Sequence, residues 1–169
     1  MATAIDRGFT LFDTAIGRCG IAWSGRGVAG VQLPEGGERE TRARLRRRFP
    51  DAREGPPPPP VQRAIHGIVA LLRGEASELE AVPLDLEGVP PFHRRVYAVA
   101  RTIPPGTTLS YGEVAARMGA PGLARDVGQA LAHLVADPDR HPLVVAHCLR
   151  QRVNPGSSGL DLLVFQQAA

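Results

Sequence analysis

Along its first third, the chain alternates short apolar runs with glycines and polar turn residues. Runs of this length, separated by turn signals, predict neighbouring strands of a meander. The predicted strands are Phe9–Phe12, Gly20–Trp23 and Val28–Leu33. We expect Cys19, which precedes the second strand, to be buried in the core, because a free cysteine usually behaves as a small hydrophobic residue.

An arginine-rich segment follows these strands. Leu45 and Phe49 recur at helical spacing within Glu38–Phe49, a segment that also contains six arginines. This pattern predicts an amphipathic helix with a solvated face. A basic run can also bind nucleic acid, but Glu38 and Glu40 offset part of its charge, so we favour a charged outer face.

Prolines interrupt the pattern after this helix. Gly55–Pro60, with five consecutive prolines, predicts a stiff polyproline II connector. The next segment, Val61–Arg73, predicts a helix that ends at Gly74. Its apolar residues at helical spacing are Ile65, Ile68, Val69 and Leu72.

The middle of the chain contains a candidate domain boundary. Ala81–Leu86 is a short strand candidate, and the turn-forming run Glu87–Pro91 follows it. We therefore predict an N-terminal α/β domain at residues 1–87 and a C-terminal domain at residues 88–169.

The second half of the chain has helical periodicity. The predicted helices are Phe92–Ile103, Tyr111–Met118 and Leu123–Val135, and the first places Val96 and Val99 on its apolar face. Ser110 followed by Glu113 is the signature of a capping box at a helix start. Two short helices joined by a glycine-containing turn predict a helix-turn-helix unit, although such units also occur without a binding role. A buried strand is predicted at Pro142–Ala146.

Charge is distributed unevenly along the chain. All 20 basic residues other than histidine are arginine, and there are 17 acidic residues among the 169 positions. Residues 1–88 hold 12 of each kind, whereas residues 89–169 hold 8 arginines and 5 acidic residues, so the net charge of +3 lies in the second half. An anionic partner is therefore expected to bind there.

Several protein classes are not expected. No apolar run reaches the length of a membrane span, and the first residues lack the pattern of a secretory leader. Two cysteines do not suffice for a disulfide framework or a four-cysteine zinc site, and the histidines near Cys148 fit no zinc spacing. We therefore expect a cytoplasmic protein without a metal or a cofactor.

The order of motifs resembles a known family. The segment FHRRVYAVARTIPPGTTLSYGEVAARMGAPGLARDVGQAL, followed by PLVV and a His-Cys pair, resembles the O6-alkylguanine-DNA alkyltransferases. The resemblance implies an α+β fold, with a small antiparallel sheet in the N-terminal domain and a winged-helix-like C-terminal domain. Members bind the DNA minor groove, flip the alkylated guanine out of the duplex and transfer the alkyl group to a cysteine, which is consumed.

The resemblance also implies roles for single residues. Arg125, at the start of the recognition helix, would fill the gap left by the flipped base, because its planar guanidinium can stack on the orphaned partner. Tyr111 would pack beside the extruded nucleotide. Ala124, Gly128 and Ala130 would let the helix backbone approach the groove.

The chain departs from the family motif at the nucleophile. The family motif is Pro-Cys-His-Arg, whereas ungapped counting puts His147 at the cysteine position, and a one-residue shift that aligns Cys148 and Arg150 leaves Leu149 in place of histidine. Gln166 stands where the family has the glutamate that orients the histidine. Loss of general-base assistance costs on the order of 10²–10⁴ in rate, so we expect weak alkyl transfer at most.

Three further departures concern DNA contacts. Asp126 places a carboxylate beside Arg125, where it opposes phosphate. The segment from 133 to 140 is longer than in the family, and the glycine-rich substrate loop is reduced to residues 154–159.

Three hypotheses remain open. The leading one is a monomeric, alkyltransferase-like protein that binds O6-alkylguanine in duplex DNA, without efficient transfer, and hands the lesion to other repair factors. The second is a single-turnover methyltransferase that uses Cys148. The third is a repurposed relative that keeps the fold and no longer binds DNA.

Overall fold

The computed structural model describes residues 6–34, 36–75, 77, 79, 81–103, 109–136 and 162–163, with side chains except at 133–136 and 162–163. They form two compact units, the first running to Asp85 and the second starting at Leu86. Helices and a small sheet occur together, so the predicted α+β class is confirmed. The domain boundary between 87 and 88 stays a proposal. Within the described ranges, no helix is both long and apolar enough to cross a membrane.

A four-stranded sheet forms the centre of the first unit. Its strands are β1 (Arg7–Thr14), β2 (Gly17–Ser24), β3 (Gly27–Gln32) and β4 (Arg53–Glu54), in the spatial order β3-β2-β1-β4. The three predicted strands are confirmed and form an antiparallel meander. The short β4 pairs in parallel with β1 at Gly8 and Phe9, an addition that the hydrophobic pattern did not predict.

The core of this unit lies between the sheet and helix α1 (Glu38–Arg48). Leu45 is fully buried and packs with Phe9 and Ala22. A Cβ at Gly20 would collide with the Leu45 side chain, so the sheet and the helix approach this closely only because position 20 is glycine. Cys19 is fully buried, as predicted, and burial raises the pKa of its thiol.

Helix α2 (Pro59–Leu72) begins inside the proline run. The predicted connector Gly55–Pro60 is therefore too long by two residues, because prolines in the first turn of a helix need no N–H partner. The buried residues of α2 also differ from the predicted stripe, and are Val61, Ala64, Ile68 and Leu71. Leu79 and Ser77 pack against the helix at Gly67 and cover this side of it.

The predicted strand Ala81–Leu86 is wrong. Only Leu84 forms an isolated parallel bridge, with Val28 of β3. The Val28 N–H donates to the Pro83 carbonyl at 2.9 Å, and the Asp85 N–H donates to the Val28 carbonyl at 2.8 Å. Pro83 itself has no N–H, so the segment makes too few ladder bonds to form a strand.

Where the structure describes it, the second unit contains three α-helices, a one-turn 3-10 helix and a two-stranded sheet. Its elements are α3 (Pro91–Arg101), β5 (Leu109–Ser110), α4 (Tyr111–Arg117), a one-turn 3-10 helix (Pro121–Leu123), α5 (Ala124–Ala136) and β6 (Leu162–Leu163). Strands β5 and β6 are antiparallel. The three predicted helices are confirmed, with ends shifted by at most two residues.

Packing of α3 differs in part from the predicted face. Val96, Tyr97 and Ala100 are buried, whereas Val99 is only half-buried. The Tyr97 hydroxyl donates to the Ala130 carbonyl of α5 at 3.2 Å, which explains why this polar aromatic residue points inward. The predicted strand Pro142–Ala146 lies outside the described residues.

Candidate nucleic-acid interface

A capping box holds the start of α4. The Glu113 N–H donates to the Ser110 hydroxyl at 3.2 Å, and the Ser110 N–H donates to the Glu113 carboxylate at 2.6 Å. Hydrogen bonds from the backbone N–H and the side chain of Ser110 to the carboxylate lower the pKa of Glu113, with a smaller contribution from the charge of Arg117. The predicted capping box is confirmed, and it fixes Tyr111 as the first residue of the helix.

The ring of Tyr111 lies against the backbone of α5. A Cβ added at Gly128 would stand 3.0 Å from Cε2 and 3.1 Å from Cδ2 of Tyr111. Both distances are shorter than ordinary carbon contacts, so a larger residue would displace the ring. Because Gly128 has no side chain, the Tyr111 ring can pack against α5 at this position, a role that the resemblance did not suggest.

The outer face of α5 carries polar residues and an alanine. Over residues 124–132 the exposed residues are Arg125, Asp126, Gln129 and Ala132, and the buried residues are Val127, Ala130 and Leu131. Ala124 is half-buried. The expectation that Ala130 lies on the groove-facing side is wrong, because this residue is fully buried and its carbonyl accepts the hydrogen bond from Tyr97.

Arg125 is exposed in the first turn of α5. Within the described part of the chain, no carboxylate forms an ion pair with it. Asp126 is exposed beside it, in a turn where a negative charge stabilises the helix through its dipole. The structure thus supplies a local reason for Asp126 that is independent of any partner.

Arg95 is a positioning residue that the sequence analysis missed. Its Nη2 donates to the Met118 carbonyl at 2.6 Å, so this arginine of α3 caps the C-terminal end of α4. Basic side chains often bond the last carbonyls of a helix, but the two positions are 23 residues apart. Helical spacing therefore offered no signal for the contact.

The described residues include four of the seven residues predicted for the site. Tyr111, Ala124, Arg125 and Gly128 lie together on α4 and α5. His147, Cys148 and Arg150 lie outside the described residues, as do Gln166, the segment 137–141 and the loop 154–159. Among the residues that the structure describes, no group of three His, Cys, Asp or Glu side chains is placed to hold a metal ion.

Comparison with known proteins bears directly on the second unit. Residues 91–146 match the family model described as 6-O-methylguanine DNA methyltransferase, DNA binding domain. This match includes α3, α4 and α5 and ends one residue before His147. The helix-turn-helix unit with Arg125 and Tyr111 therefore falls within the matched residues.

Similarity to whole proteins extends into the first unit. The chain is 30% identical over 140 residues to the methylated-DNA–protein-cysteine methyltransferase of Methanothermobacter thermautotrophicus, which covers 83% of this chain and 69% of that protein. It is 47% identical over 70 residues to the protein of the same name from Mycolicibacterium paratuberculosis, covering 41% of each. The crystal structure of Mycobacterium tuberculosis OGT in complex with DNA is similar, with a TM-score of 0.53 and 31% identity, and the match covers 83% of this chain and 76% of that chain.

The extent of these matches differs between relatives. In several curated relatives, the chain spans only 34% to 41% of their length. The Methanothermobacter protein and the DNA-bound structure are covered over more than two thirds of their length, at 30% identity or more. The chain therefore belongs to the O6-alkylguanine-DNA alkyltransferase family, the methylated-DNA–protein-cysteine methyltransferases.

Proposed function

We propose that this protein recognises O6-alkylguanine in duplex DNA and serves DNA repair, with weak or no alkyl transfer. The observation that carries the proposal is the exposed Arg125 in the first turn of α5, within the part of the chain that matches the family's DNA-binding domain. The small outer face of α5 would enter the minor groove, and Tyr111 would contact the extruded nucleotide.

The chemistry of Arg125 supports base flipping. Removing a base from the stack costs a few kcal/mol, which an inserted side chain must offset. A guanidinium is planar and can stack on the partner base while it offers N–H donors, whereas an ammonium group does not stack. Its charge also attracts the phosphate backbone.

The packing of Tyr111 against Gly128 supports the same proposal. The capping box holds the start of α4, and Gly128 allows the Tyr111 ring to lie against α5. A side chain that is oriented before binding loses less entropy when a ligand arrives. The half-buried ring can therefore present one edge to an extruded nucleotide.

Weak or absent transfer is proposed from the residues around Cys148. A thiol with an ordinary pKa is only a few per cent thiolate at neutral pH, so efficient transfer needs a base. The histidine position of the family motif holds Cys148 or Leu149, depending on register, and Gln166 replaces the orienting glutamate. Glutamine does not stabilise an imidazolium as a carboxylate does.

The alternative is a single-turnover methyltransferase that uses Cys148. In that reaction the Cys148 sulfur bonds to the methyl carbon, the bond from that carbon to O6 breaks, and the guanine takes up a proton. The presence of a cysteine at the one-residue-shifted position of the motif favours this alternative.

A third candidate is a relative that keeps the fold without binding DNA. Asp126 favours it, because the carboxylate is exposed on the same face as Arg125. For the leading proposal we further propose a monomer in the cytoplasm, associated with the nucleoid when bound, which passes the lesion to other repair factors.

Binding is tested by titrating labelled duplexes with and without one O6-methylguanine at several salt concentrations. We expect tighter binding to the lesion duplex, an affinity that falls with salt, and loss of the lesion preference in Arg125→Ala. The matched control is Arg63→Ala, which removes another exposed arginine, in α2. Absence of binding to both duplexes would support the third candidate and overturn the proposal.

Transfer is tested by incubating the protein with excess O6-methylguanine duplex and measuring its intact mass. We expect no stoichiometric gain of a methyl group. The chain has two cysteines, and Cys19 is fully buried with a raised pKa, so Cys148→Ala is a clean control. A gain of one methyl that disappears in Cys148→Ala would establish the methyltransferase.

A further inference from the structure

Gln129 occupies the outer face of α5 one turn after Arg125. It is exposed, whereas Val127 and Ala130 are buried and Gly128 is half-buried. Residues four positions apart lie on the same side of an α-helix, about 6 Å apart along its axis. A surface that receives Arg125 would therefore meet Gln129 next.

The Gln129 amide is available for such a contact. No residue in the described ranges forms a hydrogen bond with it. A glutamine side chain carries an acceptor oxygen beside two N–H donors. Arg125 and Asp126, the other polar groups on this face, provide only donors and only acceptors respectively.

The minor groove displays a matching pair of groups at one base only. Every base pair offers acceptors at purine N3 and pyrimidine O2, and a guanine adds the N2 amino donor beside its N3. An amide that accepts from N2 and donates to N3 is complementary to this edge. An adenine lacks the donor, so it bonds one end of the amide at most.

We propose that Gln129 reads the minor-groove edge of a guanine within two base steps of the lesion, so that the protein prefers lesions flanked by G·C pairs. This inference rests on the proposed binding of α5 in the minor groove, and adds a preference for sequence context. Whatever the angle between α5 and the duplex, an axial distance of about 6 Å from Arg125 spans at most roughly two base steps of 3.4 Å. The pair that is read thus lies within two steps of the flipped base.

The experiment changes the amino group without changing the rest of the duplex context. Four O6-methylguanine duplexes are made in which both pairs on either side of the lesion are G·C, inosine·C, A·T or 2,6-diaminopurine·T. Inosine lacks the N2 amino group of guanine, and diaminopurine adds one to adenine. Dissociation constants are measured by fluorescence anisotropy for the protein, for Gln129→Ala, and for Gln62→Ala as the control, because Gln62 is an exposed glutamine of α2.

We expect the affinity for each duplex to depend on whether its flanking purines carry the N2 amino group. G·C and diaminopurine·T contexts should bind about three- to tenfold more tightly than inosine·C and A·T, the range for one net hydrogen bond. Gln129→Ala should bind all four lesion duplexes with one affinity, and Gln62→Ala should keep the preference. Alanine is a strong helix former, so Gln129→Ala is expected to fold.

Four results would overturn the inference. Equal affinities for the four duplexes would refute it and leave lesion recognition in place. Sorting that persists in Gln129→Ala, or the opposite order of affinities, would assign the context effect to another group. Absence of binding to all four duplexes would overturn the proposed function, and the inference with it.

Discussion

Helices α1 and α5 use arginine side chains in opposite ways. In α1, Arg42 donates through Nε to both carboxylate oxygens of Glu54, each at 3.1 Å, and through Nη2 to Glu38 at 2.7 Å. Arg46 donates to Glu54 as well, at 3.4 Å. In α5, Arg125 makes no ion pair with any carboxylate of the described residues.

The difference shows that the number of arginines is a poor guide to a binding surface. Glu54 belongs to β4, so Arg42 and Arg46 connect α1 to the edge of its own sheet. The charged outer face predicted for α1 is thus paired in part within the fold. Of the two glutamates expected to offset this charge, Glu38 pairs with Arg42, whereas Glu40 accepts from the Gly37 N–H at 3.0 Å.

The largest expected effect comes from replacing Arg125 by lysine, with the same replacement at Arg42 for comparison. Lysine keeps the positive charge and removes the planar guanidinium group. Arg125→Lys should lower the preference for a lesion duplex about tenfold or more, because an ammonium group does not stack on the orphaned base. The salt dependence of binding should stay the same, since the number of phosphate contacts is unchanged. Arg42→Lys should leave the lesion preference and the salt dependence within about twofold of those of the parent protein.

Anisotropy titrations at three salt concentrations measure both quantities. Equal loss of lesion preference in the two variants would break the distinction between α1 and α5.

The next effect concerns two glycines of the second unit. Gly128→Ala should weaken binding to the lesion duplex about three- to tenfold, because its Cβ would displace the Tyr111 ring. Gly112→Ala is the matched control, since a Cβ there would meet only the Ser110 hydroxyl, at 3.8 Å. This control should raise stability by up to about 1 kcal/mol through helix propensity and leave affinity unchanged.

Thermal unfolding and duplex titration of both variants provide the measurement. If Gly128→Ala bound the lesion duplex as well as Gly112→Ala does, the packing of Tyr111 against Gly128 would have no part in binding.

A smaller effect is expected from the carboxylate beside Arg125. Asp126→Asn should strengthen binding to any duplex about threefold at low salt, because it removes a charge that repels phosphate. The gain should fade as salt screens the interaction. Asp51→Asn makes the same change of net charge on an exposed residue of the first unit, and should have less effect.

Titrations at two salt concentrations distinguish the variants. An equal gain in affinity from Asp51→Asn would show that the effect comes from the net charge of the protein and not from the position of Asp126 on α5.

The smallest effect concerns two glutamates with lowered pKa values. Hydrogen bonds with Ser110 lower the pKa of Glu113, whereas a hydrogen bond from Arg42 and the charge of Arg18 lower that of Glu38. A lowered pKa in the folded state means that the ionised form stabilises the fold above the ordinary glutamate pKa. This stabilisation is lost as the pH falls through the folded-state value.

Glu113→Gln and Glu38→Gln should therefore each lower the Tm slightly at pH 7, with a difference from the parent protein that shrinks below about pH 4. High salt should reduce the Glu38 effect more, because that pair is ionic on both sides. Calorimetry at pH 7 and pH 3.5, with and without 1 M salt, measures the differences. A Glu113 difference that grew on acidification would contradict the assigned sign.

Much of the fold could be predicted because its signals are local. Ser110 and Glu113 are three residues apart, so their capping box is visible in the sequence and forms as predicted. The meander strands are likewise confirmed, since their turns are short. The predictions for Ala81–Leu86 and for the proline run were wrong, because apolar or proline content does not show which backbone N–H groups find partners in the fold.

The candidate site was predicted only in part. The resemblance identified Arg125 and Tyr111, and the structure places both on the helix-turn-helix unit. It did not identify Arg95, and it placed Ala130 on the wrong side of α5, because family motifs do not state which residue of a helix faces the interior. The roles of His147, Cys148 and Arg150 stay predictions.

The sequence by itself determined the meander strands, the order of the three helices of the second unit, the capping box of α4 and the family, because these depend on residues close together in the chain or on a shared motif. Only the tertiary structure decided that Tyr111 rests on Gly128, that Arg42 binds Glu54 of β4, and that Arg95 caps α4. These partners lie 12 or more residues apart. Such contacts form only when packing of the helices brings distant segments within hydrogen-bond or van der Waals distance.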